Sequence, residues 1–155
     1  LEQVALPLAR AGLTAAEAAA ALDRHRAAFA AIRIGAPLPD SPEAREWLGG
    51  ERWLRSHMAR DVLATIAALG PRPLLVAQGG VDQQVRPVDA DALVAAGRAA
   101  GNPAVVDRRY PGLDHLFAAS ATGDPAAYAD AGRLVDPTFL ADLAVFVASA
   151  PALPR

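Results

Sequence analysis

The stretch from Pro71 to Val85 constrains the fold more than any other part of the chain. Its apolar run, residues 74–77, has the length of a strand, follows two prolines and leads to Gly79-Gly80. Such a run is typical of a strand buried on both faces, as in the interior of a parallel sheet. Asp82 follows the predicted strand at the edge where open parallel sheets bind ligands, so it is a candidate functional residue. The alternative is that Asp82 only caps the turn with its own side chain.

The composition is that of a folded globular domain. The 155 residues are 53% hydrophobic with a net charge of −2, which is enough apolar material for a core and argues against disorder. All basic residues are arginines, and they are scattered, so neither nucleic acid nor an anionic membrane is expected as a partner. The absence of cysteine excludes disulfides, thiolate zinc sites and thiol nucleophiles. No apolar run has membrane-spanning length, and we expect a cytoplasmic location.

The segment after Asp82 predicts a helix and then a second strand. Pro87 begins the helix, Gly101-Asn102 ends it, and residues 103–110 form the strand. A strand, helix and strand joined in this way form a βαβ unit with parallel strands and a right-handed crossover. His115 follows the second strand, so we expect it at the same edge of the sheet as Asp82.

The flanking segments are predicted to be mainly helical. A capping box at Thr14 begins a helix that continues to about Arg33, and residues 1–10 are expected to be the tail of an earlier helix. Shorter helices are predicted over 53–58 and 61–69, and a frayed tail from Pro151. The last helix starts at Asp136-Pro137 and carries its apolar face on Phe139, Leu140, Leu143 and Val147.

The histidines outside the candidate site have no other metal-ligating residue type nearby. His25 and His57 lie within predicted helices, and we interpret them as helix-packing or surface residues. We therefore expect neither a metal site nor a cofactor.

Asp82 and His115 together resemble two members of a catalytic triad, in which the acid orients the histidine that acts as base. The sequence around these two residues resembles the α/β-hydrolase fold. The resemblance is carried by three segments: Leu-Leu-Val-Ala-Gln-Gly-Gly-Val-Asp-Gln-Gln-Val, Tyr-Pro-Gly-Leu-Asp-His-Leu-Phe and Val-Asp-Pro. The chain is similar to bacterial serine carboxylesterases and to the related acyl-peptide hydrolases and dienelactone hydrolases, whose triad runs Ser, Asp, His. The resemblance implies that Asp82 is the triad acid and His115 the base, and Asp114 is interpreted as a turn residue.

The resemblance also implies the domain organisation. It is specific from about residue 52 to 147 and covers the C-terminal half of the fold, with parallel strands and crossover helices. The fold class is therefore α/β, with a helical cap segment over residues 1–52, the C-terminal part of the hydrolase core over 53–150 and a tail over 151–155. An apolar cap containing Phe29, Trp47 and Trp53 would favour uncharged ester substrates, although these residues can equally serve only to pack the cap.

The chain departs from this family in lacking the nucleophile. No Gly-x-Ser-x-Gly elbow is present: Ser41, Ser56, Ser120 and Ser149 lack the flanking glycines, and no glycine-rich oxyanion segment occurs. We expect a C-terminal part of a longer hydrolase, with the N-terminal half of the same fold as its partner and a small ester as its substrate. The alternative is a non-catalytic, hydrolase-derived interaction module. Phosphate binding at Gly79-Gly80 is disfavoured because those glycines do not lead directly into a helix.

Overall fold

The computed structural model describes residues 12–151, which divide into two compact units between Asp61 and Val62. The predicted helix tail over residues 1–10 and the end of the tail, residues 152–155, lie outside this range. The described chain mixes helices with a small parallel sheet and is therefore of α/β character. Within it, no helix is both long and apolar enough to cross a membrane.

The first unit is built on one long helix, α1 (Ala15–Ile34), followed by α2 (Pro42–Arg45) and α3 (Glu51–Met58). The predicted capping box at Thr14 is confirmed: Thr14 Oγ1 accepts from the Glu17 amide, and the Glu17 carboxylate accepts from the Thr14 amide. The helix ends at Gly35, which adopts a φ of +74°. Helix α1 packs against both short helices. It carries a stripe of buried residues: Ala21, His25, Ala28 and Ile32.

The aromatic residues of this unit pack mainly with one another. The rings of Phe29 and Trp47 lie 5.0 Å apart, and buried His25 sits beside both of them. His57 is exposed and lies 4.1 Å from the ring of Trp53. His25 is thus a packing residue and His57 a surface residue, as predicted. Substrate contact by this segment stays a prediction.

Glu43 on α2 forms a bidentate ion pair with Arg24 on α1. Its carboxylate accepts from Arg24 Nε at 2.9 Å and lies 2.8 Å from Nη2. The hydrogen bond from Arg24 lowers the pKa of Glu43 from 4.5 to about 2, although partial burial opposes the shift. Because the folded-state pKa is depressed, the resulting stabilisation is present above pH 4.5 and is lost as the pH falls toward 2.

We expect Glu43→Gln to lower the urea midpoint of the first unit at pH 7, with a difference from wild type that shrinks between pH 4.5 and 2. Urea unfolding followed across this range measures it. Glu46→Gln, at an exposed neighbouring position, is the matched control and should change little. A Glu43→Gln effect that is constant from pH 7 to 2 would contradict the ion-pair explanation.

The second unit contains the predicted βαβ unit. Strand β1 (Leu74–Gly79) runs parallel to β2 (Val105–Tyr110) with Leu74 opposite Val105 and Gly79 opposite Tyr110. Helix α5 (Pro87–Ala99) connects them, and α4 (Val62–Ala67) packs against α5. The parallel pairing and the helix between the strands are confirmed. These elements begin and end within a few residues of the predicted positions.

The core lies where α5 covers one face of the sheet. Val76 of β1 packs with Ala90 and Val94 of α5, and Leu74, Leu93 and Val105 surround them. Gly97 lets the helix approach closely, since an added Cβ would lie 3.0 Å from Val105. Burial of β1 on both faces is only partly found, because Leu74, Leu75 and Ala77 are half-buried. Its second edge has no partner among the described strands.

The last helix, α6 (Pro137–Ser149), lies on the opposite face through Phe139 and Asp142, which contact Tyr110. The helix starts as predicted, with Asp136 accepting from two amides of the first turn. The residues of the predicted apolar face do not all pack inward. Phe139 faces inward, but Leu140, Leu143 and Val147 remain exposed. The helix is apolar nearly all round, so periodicity alone does not select the face that packs.

Candidate active site

The structure brings Asp82 and His115 together at the carboxyl edge of the sheet, as the sequence predicted. Asp82 lies in the acid loop (residues 80–86), which follows β1, and His115 in the histidine loop (residues 111–119), which follows β2. His115 Nδ1 is 3.0 Å from Asp82 Oδ2. The Asp82 side chain is 6% exposed and the His115 side chain 36%, so the acid is shielded while the base can reach a substrate.

The other carboxylate oxygen of Asp82 caps its own loop. Oδ1 accepts from the amides of Gln84 and Val85 at 2.7 and 2.9 Å. The turn cap, which is one of the two interpretations of Asp82 from the sequence, is therefore present, and the interpretation as a functional acid stays a prediction. Because Oδ1 is fixed by backbone amides, Oδ2 has a defined position facing His115.

This geometry selects the imidazole tautomer. An ionised carboxylate can only accept a hydrogen bond, so Nδ1 of His115 carries a proton and donates it to Asp82. In the neutral ring Nε2 is then the basic nitrogen. The arrangement can orient an imidazole and stabilise its positive charge when Nε2 takes a proton, which are the two functions of the acid in a triad.

The glycines at the end of β1 are needed because the histidine loop passes directly against them. A Cβ on Gly79 would lie 2.5 Å from the carbonyl oxygens of Leu113 and Asp114, and one on Gly80 would lie 2.5 Å from Pro111 Cα. The two loops are joined there by backbone hydrogen bonds, from Gly80 to Tyr110 at 2.8 Å and from Val81 to Leu113 at 3.1 Å. Gly79-Gly80 therefore sets the separation of the loops.

We expect Gly80→Ala to push the histidine loop away from the acid loop and to lower the free energy of unfolding by about 1–3 kcal/mol, as overpacking does. The matched control is Gly112→Ala in the same region, where an added Cβ meets nothing within 4 Å. Urea unfolding of the two variants tests this. Equal stability of both would show that the loops do not need the close approach.

Asp114, next to His115, shapes the histidine loop from inside. Its side chain is fully buried, accepts from the amides of Leu116 and Ala118 at 3.0 and 3.3 Å, and pairs with the guanidinium of Arg133. Phe117 completes the turn with a φ of +54° and stacks on Phe139 at 3.9 Å. Asp114 is thus a turn residue, as interpreted from the sequence, but the sequence did not predict its ion pair.

Gln78 also contributes to the site but was not predicted from the sequence. The amide nitrogen of buried Gln78 donates to the Val85 carbonyl at 3.0 Å and lies 3.4 Å from Asp82 Oδ2. The sequence signal that could have identified Gln78 is its position as a polar residue directly after the apolar run of the strand. The Tyr110 hydroxyl, by contrast, binds Asp142 on α6 and not the Asp82–His115 pair. Burial, with this hydrogen bond, raises the pKa of Tyr110 to about 12, so its hydroxyl stays protonated at neutral pH.

None of the four serines is hydrogen-bonded to His115 in the described part of the chain. Ser41 caps α2, Ser120 Oγ accepts from the Gly123 amide at 2.8 Å, and Ser149 Oγ donates to the Phe146 carbonyl at 2.9 Å. Ser56 is exposed on α3. Three of these hydroxyls therefore have local hydrogen-bonding functions, which is consistent with the absence of a nucleophile elbow.

A surface depression of about 500 Å³ lies on the α5 side of the sheet, lined partly by Gln78, Asp91, Asp107 and Arg109. Asp82 and His115 do not line it. Arg109 is neutralised there by Asp107 at 2.6 Å and Asp91 at 2.8 Å. The depression thus presents no uncompensated arginine charge to a ligand.

Comparison with known proteins identifies no relative of this chain. No protein-family model, no curated protein and no solved structure matches it. Residues 12–151 contain no cluster of three or more histidine or carboxylate side chains that could hold a metal ion. The case for function therefore depends on the geometry of Asp82 and His115.

Proposed function

We propose that this chain supplies the acid and the base of a serine hydrolase that cleaves carboxylic esters or amides. The observation that carries the proposal is the 3.0 Å contact between His115 Nδ1 and Asp82 Oδ2. Both residues follow parallel strands at one edge of the sheet, and the amino-acid sequence around them resembles that of the α/β-hydrolase family. Buried Asp82 and half-exposed His115 suit the acid and the base respectively.

In this proposal His115 Nε2 removes the proton from a serine hydroxyl as its oxygen attacks the substrate carbonyl. The imidazolium then gives that proton to the leaving alcohol or amine, and an acyl-enzyme remains. Water, deprotonated by the same nitrogen, hydrolyses the acyl-enzyme and regenerates the serine. Asp82 keeps Nδ1 protonated and stabilises the imidazolium without taking the proton.

The serine and the oxyanion hole are proposed to lie on the N-terminal half of the same fold. Two features of the second unit support such a partner. The outer edge of β1 has no strand beside it among residues 12–151, so the backbone groups of Leu75 and Ala77 are available for pairing with another strand. Helix α6 exposes Leu140, Val145 and Val147, which a larger sheet and its helices would cover.

The same free edge and apolar helix favour a second candidate, a non-catalytic interaction module that binds another chain by strand addition. That function needs no contact between Asp82 and His115. The two proposals differ in one measurable property, which is turnover of an ester that depends on both residues.

The test is to combine this chain with an upstream segment that carries a Gly-x-Ser-x-Gly elbow and to measure hydrolysis of a short activated ester. We expect no turnover by the chain alone and turnover by the complete enzyme. Asp82→Asn should reduce kcat about 10⁴-fold because it favours the wrong imidazole tautomer, and His115→Ala should be at least as severe.

The controls match each substitution in type. His57→Ala removes an exposed histidine, and Asp23→Asn removes an exposed aspartate that pairs with Arg26. Both should leave kcat/KM within about twofold of the parent enzyme, because exposed substitutions away from special features have small effects. Ester turnover that is equally insensitive to Asp82→Asn and His115→Ala would refute the hydrolase proposal.

A further inference from the structure

The segment from Ser120 to Val135, which we call the strap, contacts both loops of the candidate site. It is irregular apart from one 3₁₀ turn (Pro125–Ala129). Gln84 Nε2 in the acid loop donates to the Tyr128 hydroxyl at 3.0 Å, and Gln83 Nε2 donates to the Thr122 carbonyl. Gly123 of the strap lies directly against the carbonyl of Val81, where no side chain would fit.

The other end of the strap holds the histidine loop. Oδ2 of the Asp114 carboxylate forms an ion pair with the Arg133 guanidinium. Oδ1 of the same carboxylate accepts hydrogen bonds from two amides of the histidine loop. The strap backbone also receives support, since the Ser120 amide donates to the Gly112 carbonyl at 3.0 Å. The Arg133 side chain is only 14% exposed, so the ion pair is largely shielded from water.

Tyr128 and Arg133 connect these two ends. The guanidinium carbon of Arg133 lies 5.7 Å from the centroid of the Tyr128 ring, within the range of a cation–π contact. A continuous series of side-chain contacts therefore runs from Gln84 through Tyr128 and Arg133 to Asp114. The backbone amide of Gln84 also donates a hydrogen bond to Asp82 Oδ1, and Asp114 directly precedes His115 in the chain.

We propose that Tyr128 and Arg133 are positioning residues that hold the acid loop and the histidine loop in register for the Asp82–His115 contact. Asp82 and His115 belong to different loops, 33 residues apart, so their alignment depends on what joins those loops. Catalytic groups must be held within about 0.5 Å of the productive geometry, which rigid supporting contacts provide. As a statement about catalysis the inference rests on the proposed function, but the positioning itself can be measured without turnover.

The experiment observes the His115 Nδ1 proton by NMR in the histidine-labelled protein, with the signal assigned by its loss in His115→Gln. Tyr128→Phe removes only the hydroxyl that accepts the hydrogen bond from Gln84 Nε2, and it keeps the ring beside Arg133. We expect exchange of the Nδ1 proton with water to become at least tenfold faster. In the complete enzyme we expect kcat to fall about tenfold with KM changed less than twofold.

The matched control is Tyr110→Phe, which removes the hydroxyl that donates to Asp142 on α6 and leaves the strap intact. It should change the exchange rate less than twofold even if it lowers stability. Gln84→Ala removes the same contact from the other side, so it decides the result if Tyr128→Phe does not fold. The double variant should exchange no faster than the faster single variant, because both substitutions remove one interaction.

The positioning proposal would be overturned if the His115 Nδ1 proton exchanged at the parent rate in both Tyr128→Phe and Gln84→Ala. Faster exchange in the variants, together with no ester turnover by the complete enzyme, would leave the positioning intact and refute the proposed function. If ester turnover depends on Asp82 and His115 but the exchange rate is unchanged in both variants, the proposed function stands and the positioning proposal is refuted.

Discussion

The carboxylate of Asp82 is the group on which the site depends. It is almost completely withdrawn from water, and a buried charge is tolerated only when hydrogen bonds replace its hydration. Two backbone amides satisfy Oδ1, while His115 and the more distant Gln78 amide face Oδ2. The acid loop therefore folds around the charge, and the direction of Oδ2 follows from the fold of the loop. Removing the charge would remove the group that fixes the tautomer of the imidazole.

The glycine pair links this electrostatic arrangement to the sheet. Parallel strands deliver the two loops to one edge, but loops with ordinary side chains would be held apart by their Cβ atoms. Gly79 and Gly80 remove that obstacle, so the backbones of the two loops hydrogen-bond directly. The glycines thus serve close approach of two backbones, and neither is among the residues with positive φ. Phosphate binding is not required to explain them.

Local signals account for the parts of the structure that the sequence predicted. The apolar run, Pro87 and Gly101 each mark one element or its end, and the parallel topology then brings Asp82 and His115 to one edge. The strap contacts could not be predicted, because Gln84 and Tyr128 are 44 residues apart and the segment between β2 and α6 has no regular period. The inward face of α6 could not be predicted for a different reason. Its apolar residues surround the helix, so only the position of Tyr110 and Phe117 decides that Phe139 points inward.

The central claim is that His115 activates a serine that lies outside this chain. The most direct test is to treat the complete enzyme with a fluorophosphonate, which reacts covalently with an activated serine, and to map the adduct by mass spectrometry. The claim predicts one adduct, on an upstream serine, that forms at least 10³-fold more slowly in His115→Ala. An adduct on Ser41, Ser56, Ser120 or Ser149, or upstream labelling at the same rate with and without His115, would contradict it.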